Sequence, residues 1–407
     1  MTTASLVFDP FSQEFFDNPY EVYGRMRQDA PVYYSEQHDF YALCRHDDVA
    51  AAFKDHATFS SAFGVDLAMV RAGGPPAGTS ILQLMDPPDH RHMRSVLNKM
   101  FTPRAIERQR SMINAIIDKY VDAIEDDDFD VVEKVAAPFP VEVITSMLGV
   151  PEEHVQQFRL WTDMGLHREP GQIEMGEEGR QANLNKAAVL YECLLDHRAR
   201  RPSKTGSADL FTMLIDADIE RADGGKTKMT DAEIIGFALQ LGGAGSETVT
   251  KLLASAVHIF GREQGLWARL RADPAQVPLA IEELLRYDNP VQYDVRRSMR
   301  DITIRGVTIP AGKPVFLLLA AANRDPDAWT NADTFDIDRD RTESQNLGLG
   351  YGIHSCLGAA LARMESALAL EKLLALMPRF EVDWDGCARV HMQNVVGWSR
   401  VPVRVVR

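Results

Sequence analysis

One cysteine sits among three glycines and a serine in Leu349-Gly350-Tyr351-Gly352-Ile353-His354-Ser355-Cys356-Leu357-Gly358. Cysteine does chemistry as a thiolate, the form that attacks electrophiles and binds metals. Beyond it, Leu357, Leu361, Met364 and Leu368 recur at steps of four, three and four, the period of an apolar helix face. Cys356 is therefore expected in a tight glycine turn where a helix begins. The positive end of that helix and nearby backbone N–H groups would lower the thiol pKa. The glycines would allow tight turns and leave no side chains between the sulfur and something large and flat. A lone cysteine also serves as a small buried hydrophobe, so the choice rests on the rest of the chain.

A second stretch is Gly242-Gly243-Ala244-Gly245-Ser246-Glu247-Thr248. It lies inside a helix that opens on the capping box Thr230-Asp231-Ala232-Glu233 and runs to about Phe260. Ile234, Ile235, Phe237, Leu239 and Leu241 cover most of its circumference, so this helix is expected to be buried and central. Glycines inside a helix cost about 1 kcal/mol each relative to alanine. Close approach of a flat ligand with a local opening of the helical ladder would explain them; a packing or kink site is the alternative. His90 and Arg94 are four apart and share a helix face, while His92 points elsewhere. They are either a surface pair or two donors for a buried anion such as a carboxylate. Glu283 and Arg286, three apart, can also pair.

The elements that must position these residues follow from pattern. Residues 19–28 read as a helix, 32–35 and 40–44 as a hairpin, and 47–54 as helix again. A long loop spans 63–84, with 71–78 at its middle; it leads to the helix carrying His90 and Arg94. Helices follow from 103 to about 125, ending in an acidic turn, at 140–148, and over 152–200 with a break at 168–179. Residues 201–229 read mostly as loop around a helix at 210–215, after the basic run 197–201, taken as a solvated helix end. Short strands are expected at 302–305, 307–309 and 315–319, an irregular run at 323–339, and edge strands at 380–384 and 401–405. No repeat, low-complexity block or linker divides residues 1–407. The expectation is one domain, mainly α with small β-sheets.

A net charge of -15 argues against nucleic acid or an anionic membrane surface as a partner. The four cysteines are scattered without a CxxC pair, so neither a disulfide framework nor a zinc ribbon is indicated, and CxxCH-type attached haem is excluded. The amino terminus lacks the basic and apolar regions of a signal peptide. The longest apolar run, 315–322, is too short to span a bilayer. A soluble cytoplasmic monomer is the expectation.

Together these pieces resemble a bacterial cytochrome P450, a haem-thiolate monooxygenase, over nearly the whole chain. The cysteine segment is similar to the family's signature, phenylalanine-Gly-x-Gly-x-His-x-Cys-x-Gly, at every fixed position but the first, here Leu349. The resemblance implies the cytochrome P450 fold, a triangular prism with haem between the long central helix and the helix after the cysteine. It implies haem b, bound non-covalently, with Cys356 as the axial thiolate that pushes electron density onto iron. Ala244-Gly245-Ser246-Glu247-Thr248 matches the oxygen-binding helix motif. Thr248 would hydrogen-bond dioxygen or its water, and Glu247 would help feed protons inward. Ala244 and Gly358 would lie against the haem. His90, Arg94, Arg296 and His354 fall at positions that bind the two propionates, with Arg297 one residue from Arg296. Glu283 and Arg286 match the family's structural pair, with Arg339 as third member.

The implied reaction inserts one atom of dioxygen into a substrate C–H bond or alkene, consuming two electrons and two protons and releasing water. No Rossmann or flavin fingerprint is present, so a separate ferredoxin or flavodoxin with its reductase would supply electrons. By analogy it docks near Lys99, Arg104 and Arg363. A peroxide-driven peroxygenase is the main rival, and the Glu247-Thr248 pair argues against it. A thiol enzyme with His354 as base is disfavoured, since residues two apart in an extended turn point oppositely. A non-catalytic protein binding hydrophobic ligands would leave buried Glu247 and Thr248 as a cost without use. The substrate pocket would be lined by 63–85, 155–175, Leu239, Gly243, 291–295 and Val395-Val396, mostly apolar. A hydrophobic terpenoid, steroid, fatty or aromatic compound is expected, with Tyr293 and Asp294 either fixing a polar end or facing away.

Overall fold

A 32-residue helix, Asp231–Arg262, carries much of the core. In the computed structural model, which describes residues 6–75, 81–200, 209–221 and 224–407, its start is the capping box read from the sequence. Thr230 Oγ1 accepts from the Glu233 N–H at 3.2 Å, and the Glu233 carboxylate accepts from the Thr230 N–H at 2.8 Å. Helices Pro138–Leu148, Glu152–Leu166, Glu177–Arg200 and Ala359–Leu376 pack on it.

The expected opening of its ladder is not there: the helix is continuous through Gly242–Thr248. Its hydroxyls bond inward to the backbone instead of breaking it. Ser246, Thr248 and Thr250 donate to the carbonyls four residues earlier, at 2.9, 3.0 and 3.0 Å. Two of the glycines are packing devices. A Cβ on Gly242 would lie 2.5 Å from the Phe158 ring, and one on Gly245 would lie 3.2 Å from Ile144. A Cβ on Gly243 would meet nothing within 4 Å.

The main sheet has the order Val32–Ser35, Phe40–Leu43, Pro314–Leu317, Asp294–Ser298, Phe59–Ser60. The hairpin forms in the register Val32↔Leu43, and Pro314–Leu317 lies parallel to its second strand. Strand Asp294–Ser298 was not read from the sequence; it pairs antiparallel with Pro314–Leu317, Val315 opposite Arg296. The carboxy-terminal strand Pro402–Val405 is a middle strand, not an edge, because Asp128–Asp130 pairs with it on the side away from Phe380–Val382. The strand starts at Asp128, the last residue of the acidic turn 125–128 expected from the sequence, and pairing to a distant strand sets its conformation. Hairpins also join Asp218–Glu220 to Lys226–Lys228 and Ala388–Arg389 to Trp398–Arg400.

The long loop contains the short helices Leu67–Arg71 and Leu82–Leu84. Its stretch 76–80, and 201–208 with the end of the basic run, lie outside the described residues. The 103–125 run is two helices, Pro103–Glu107 and Arg110–Val121. Among the described residues no helix is long and apolar enough to cross a membrane.

Candidate active site

The cysteine loop is held from beneath by a buried charge network. Glu283 binds Arg286 Nη2 at 2.7 Å and Nε at 2.8 Å, and Arg339 Nε at 3.2 Å. Arg286 then reaches the carbonyls of Asn323, Ala332 and Thr334. Two asparagines that the sequence did not flag carry this order to the loop. Asn323 Oδ1 accepts from the Leu347 N–H, and Asn346 bonds both the Glu282 carbonyl and the Gly348 N–H. Gly348 abuts the Leu285 carbonyl so closely that a Cβ would lie 2.2 Å from its oxygen.

From there the loop folds on itself. The Cys356 N–H donates to the Leu349 carbonyl at 2.7 Å. Gly350 and Gly352 both take φ of +69°, and a Cβ on Gly352 would also strike the Phe53 carbonyl at 2.6 Å. Helix Ala359–Leu376 begins three residues beyond the cysteine, with Gly358 before its first turn. Leu349 is half-buried against the main apolar core. The Cys356 side chain is exposed, with protein packed around it. Burial pushes its thiol up from the ordinary value, while the Gly358 N–H, Arg94 and Arg363 pull it back. The expected net lowering is thus corrected: burial outweighs the helix end. A coordinated metal would reverse that balance, because a ligating thiol is deprotonated outright.

The four basic candidates converge. His90 is buried on helix Asp89–Leu97, its ring centroid 4.4 Å from that of His354. Its Nε2 has no hydrogen-bond partner. Arg94 donates to the Ser355 carbonyl at 2.6 Å and to Asn98 at 2.9 Å. His354 shares a hydrogen bond with Ser61 Oγ at 3.2 Å. Burial, then Arg94, lowers His90 to about 4; burial, then Arg296, His90 and Arg94, lowers His354 to about 2. Arg296, not Arg297, is the residue acting on this group, for Arg297 stacks on Phe63 with 4.2 Å to the ring centroid.

On the central helix, Ala244 is exposed and Thr248 half-exposed, one turn apart on the same face. Glu247 turns the other way and is buried at 2% exposure. Lys251 Nζ lies 2.9 Å from its Oε2. Asp163, from helix Glu152–Leu166, faces Glu247; burial and the Glu247 charge raise Asp163 to about 8. Burial works against the Glu247 charge, but Lys251 and Asp163 outweigh it and leave its pKa below the ordinary value. Neither Lys251 nor Asp163 was singled out from sequence; the i,i+4 spacing of Glu247 and Lys251 was the available signal.

These two acids line a cavity of about 710 Å³ with Arg159, His167, Glu169, Arg389 and His391. It takes in part of 155–175 and mixes these charged groups with apolar Val132, Met164, Val390 and Met392, and it does not reach Leu239, Gly243, 291–295 or Val395-Val396. Tyr293 and Asp294 do not offer a free polar end. The Tyr293 hydroxyl donates to the Gln393 carbonyl at 2.8 Å, and Asp294 faces Arg296 at 3.4 Å. Of the expected docking cations, Lys99 and Arg104 are exposed, whereas Arg363 is engaged by Glu282 at 3.1 Å.

An accessible sulfur and a cluster of two arginines and two buried neutral histidines suit an anionic cofactor held through a thiolate. Comparison with known proteins agrees. The sequence model of the Cytochrome P450 family matches residues 173–394. A Mycobacterium tuberculosis relative bearing the cytochrome P450 number 123 is 34% identical over 401 residues, 98% of this chain and 97% of its own. Cytochrome P450 CYP109Q5 from Chondromyces apiculatus superposes with a TM-score of 0.85 at 30% identity, covering 98% of each chain. CYP109E1 from Bacillus megaterium, solved in complex with testosterone, superposes with a TM-score of 0.85 at 31% identity, covering 96% of this chain and 98% of its own. The chain belongs to the cytochrome P450 family, the haem-thiolate monooxygenases.

Proposed function

We propose that residues 1–407 form one domain that oxidises a hydrophobic small molecule, with haem b bound between Cys356 and the face of Ala244 and Thr248. The observation that carries this reading is the donor set. His90 holds a buried nitrogen without a partner, and it stands with Arg94, Arg296 and His354 in a group where burial and the two arginine charges keep both histidines neutral. Two carboxylates would pair with the arginines and accept from the histidines, and haem b presents two. When bound, haem supplies the activation of dioxygen.

The chain does the rest. Cys356 gives its thiolate, steadied by the Gly358 N–H, Arg94 and Arg363. Gly358 and Ala244 present small surfaces to the flat cofactor, and open Gly243 leaves room beside it. Thr248 Oγ1 is held by the Ala244 carbonyl, which leaves its oxygen free to accept or relay a proton. Glu247 brings protons from the cavity, the side from which water enters. The Glu247-Thr248 pair also favours a dioxygen-dependent cycle over a peroxide-driven one. Electrons come from a separate ferredoxin or flavodoxin docking near Lys99 and Arg104, with the compensated Arg363 contributing less. The working form is a cytoplasmic monomer.

The substrate is of the steroid, terpenoid, fatty or aromatic class. The relative solved with testosterone supports this. The reduced, carbon monoxide-bound difference spectrum of haem-loaded protein tests the ligand assignment. A thiolate-type band is expected; folded, haem-containing protein without it would overturn the reading. A spin-shift screen of hydrophobic compounds then tests the substrate class.

A further inference from the structure

From Ile234 to Leu241 the central helix carries apolar residues and a glycine, with one exception, Gln240. A leucine there would continue the core that Phe237, Ala238 and Leu241 help to form. Gln240 is instead half-buried, and its Oε1 is buried with no protein donor reaching it. An amide oxygen in that state is a standing cost to the fold. Its place on the helix suggests what the cost serves. Gln240 stands three residues before Gly243 and four before Ala244, so the three share one face. Faces turned away from it are shut: Gly242 abuts the Phe158 ring and Gly245 abuts Ile144. The shared face is open, for Ala244 is exposed and a Cβ on Gly243 would meet nothing within 4 Å. Polar groups elsewhere around the expected substrate lining are held by the protein. The Tyr293 hydroxyl donates to the Gln393 carbonyl, and Asp294 faces Arg296. Arg168 is sealed under the end of helix Glu152–Leu166, donating to the Gly165 and His167 carbonyls.

We propose that Gln240 is a substrate-anchoring residue, and that the substrate is a hydrophobic alcohol whose hydroxyl donates to Gln240 Oε1. This rests on the reading above, oxidation of a hydrophobic molecule at the face of Ala244 and Thr248, and narrows it. A ketone, an ether or a carboxylate lacks the proton that Oε1 needs. A hydroxyl both donates and accepts, so it satisfies the amide whichever way the amide is turned. Gln240 also lies eight residues before Thr248, about 12 Å along the helix axis. The anchored hydroxyl is therefore kept back from Thr248, and a carbon remote from it is presented for oxidation. Gln240 sets which molecule binds and which carbon is offered.

The test uses matched pairs as probes: dodecanol with dodecane, borneol with bornane, androstanol with androstane, and naphthylethanol with ethylnaphthalene. Spin-shift titrations give the affinity of each compound for haem-loaded wild type, Gln240→Leu and Gln240→Asn, each first shown to keep the thiolate-type carbon monoxide band. The alcohol-to-hydrocarbon affinity ratio cancels the aqueous reference of each compound when two proteins are compared. In the pair that fits the site, that ratio is expected to fall roughly tenfold from wild type to Gln240→Leu, the loss of one neutral hydrogen bond. Gln240→Asn, an amide one methylene shorter, should lose less. Substrate-free Gln240→Leu should unfold at the same temperature as wild type or above it, since it removes an unbonded buried oxygen and no protein contact to that oxygen. A ratio that is the same in wild type and Gln240→Leu for every pair that binds overturns the proposal and leaves the hydrophobic-substrate reading standing. A substrate-free Gln240→Leu less stable than wild type also overturns it, because the amide would then serve the fold. If no compound shifts the spin state of wild type, the hydrophobic-substrate reading fails and the anchor fails with it.

Discussion

Two buried acid–base clusters, around Glu283 and around Glu247, are finished in opposite ways. Around Glu283, every direction is filled: two arginines, the Asp336 N–H, and a ring of backbone carbonyls that absorb the remaining guanidinium donors. Around Glu247, one lysine and a second carboxyl share the site, and the cavity of about 710 Å³ forms one wall. A closed network rigidifies what it touches, here the segment leading into the cysteine loop. An open one leaves a proton with somewhere to go. Burial and charge are common to both; the difference lies in whether the hydrogen-bond demand is met.

Matched charge removal should expose that contrast most strongly. Glu283→Gln strands two arginines, which cannot shed their protons, and should cost about 3–5 kcal/mol in urea unfolding. Glu247→Gln strands only Lys251, which lies beside the cavity and can be solvated from it, and should cost about 1–2 kcal/mol. Equal losses would erase the distinction.

The faces of the central helix repeat the pattern one step smaller. Gly242→Ala drives a methyl group into the Phe158 ring, 2.5 Å away, so the closed face must yield. That should lower stability by about 1–3 kcal/mol. Gly243→Ala enters open space and should instead stabilise by up to about 1 kcal/mol through helix propensity. Thermal unfolding of both variants without substrate checks the sign, and a destabilised Gly243→Ala would mean that this face is closed.

Much of the cysteine side could be read from sequence because its constraints are local. Gly350 and Gly352 mark positive φ, and the spacing of His90 to Arg94 and of Glu283 to Arg286 puts each pair on one helix face. What escaped reading depends on distant partners. Asp163 meets Glu247 only because two helices cross, Asn323 and Asn346 matter through backbone groups with no sequence signature, and Asp128–Asp130 becomes a strand only beside Pro402–Val405. The thiol of Cys356 went the other way from expectation for the same reason. A helix end is visible in sequence, whereas the depth of burial is not.

The smallest effect expected is a pH dependence that belongs to the open cluster alone. Asp163 has its pKa raised from 3.8 to about 8 by burial and by Glu247. Folded protein therefore binds a proton that the unfolded chain releases, so its contribution to stability is complete below about pH 4 and is lost as pH rises through about 8. Glu247 is shifted downward, so its titration falls in acid and touches only the lower edge of this window. Asparagine cannot ionise. Asp163→Asn should match wild type near pH 4 and become the more stable of the two by pH 9, the gap held below about 1 kcal/mol by solvent screening at this partly open site. Urea midpoints at both pH values measure it. A gap that is the same at pH 4 and pH 9 would show that no proton is bound there on folding, and the open cluster would then differ from the closed one in shape but not in chemistry.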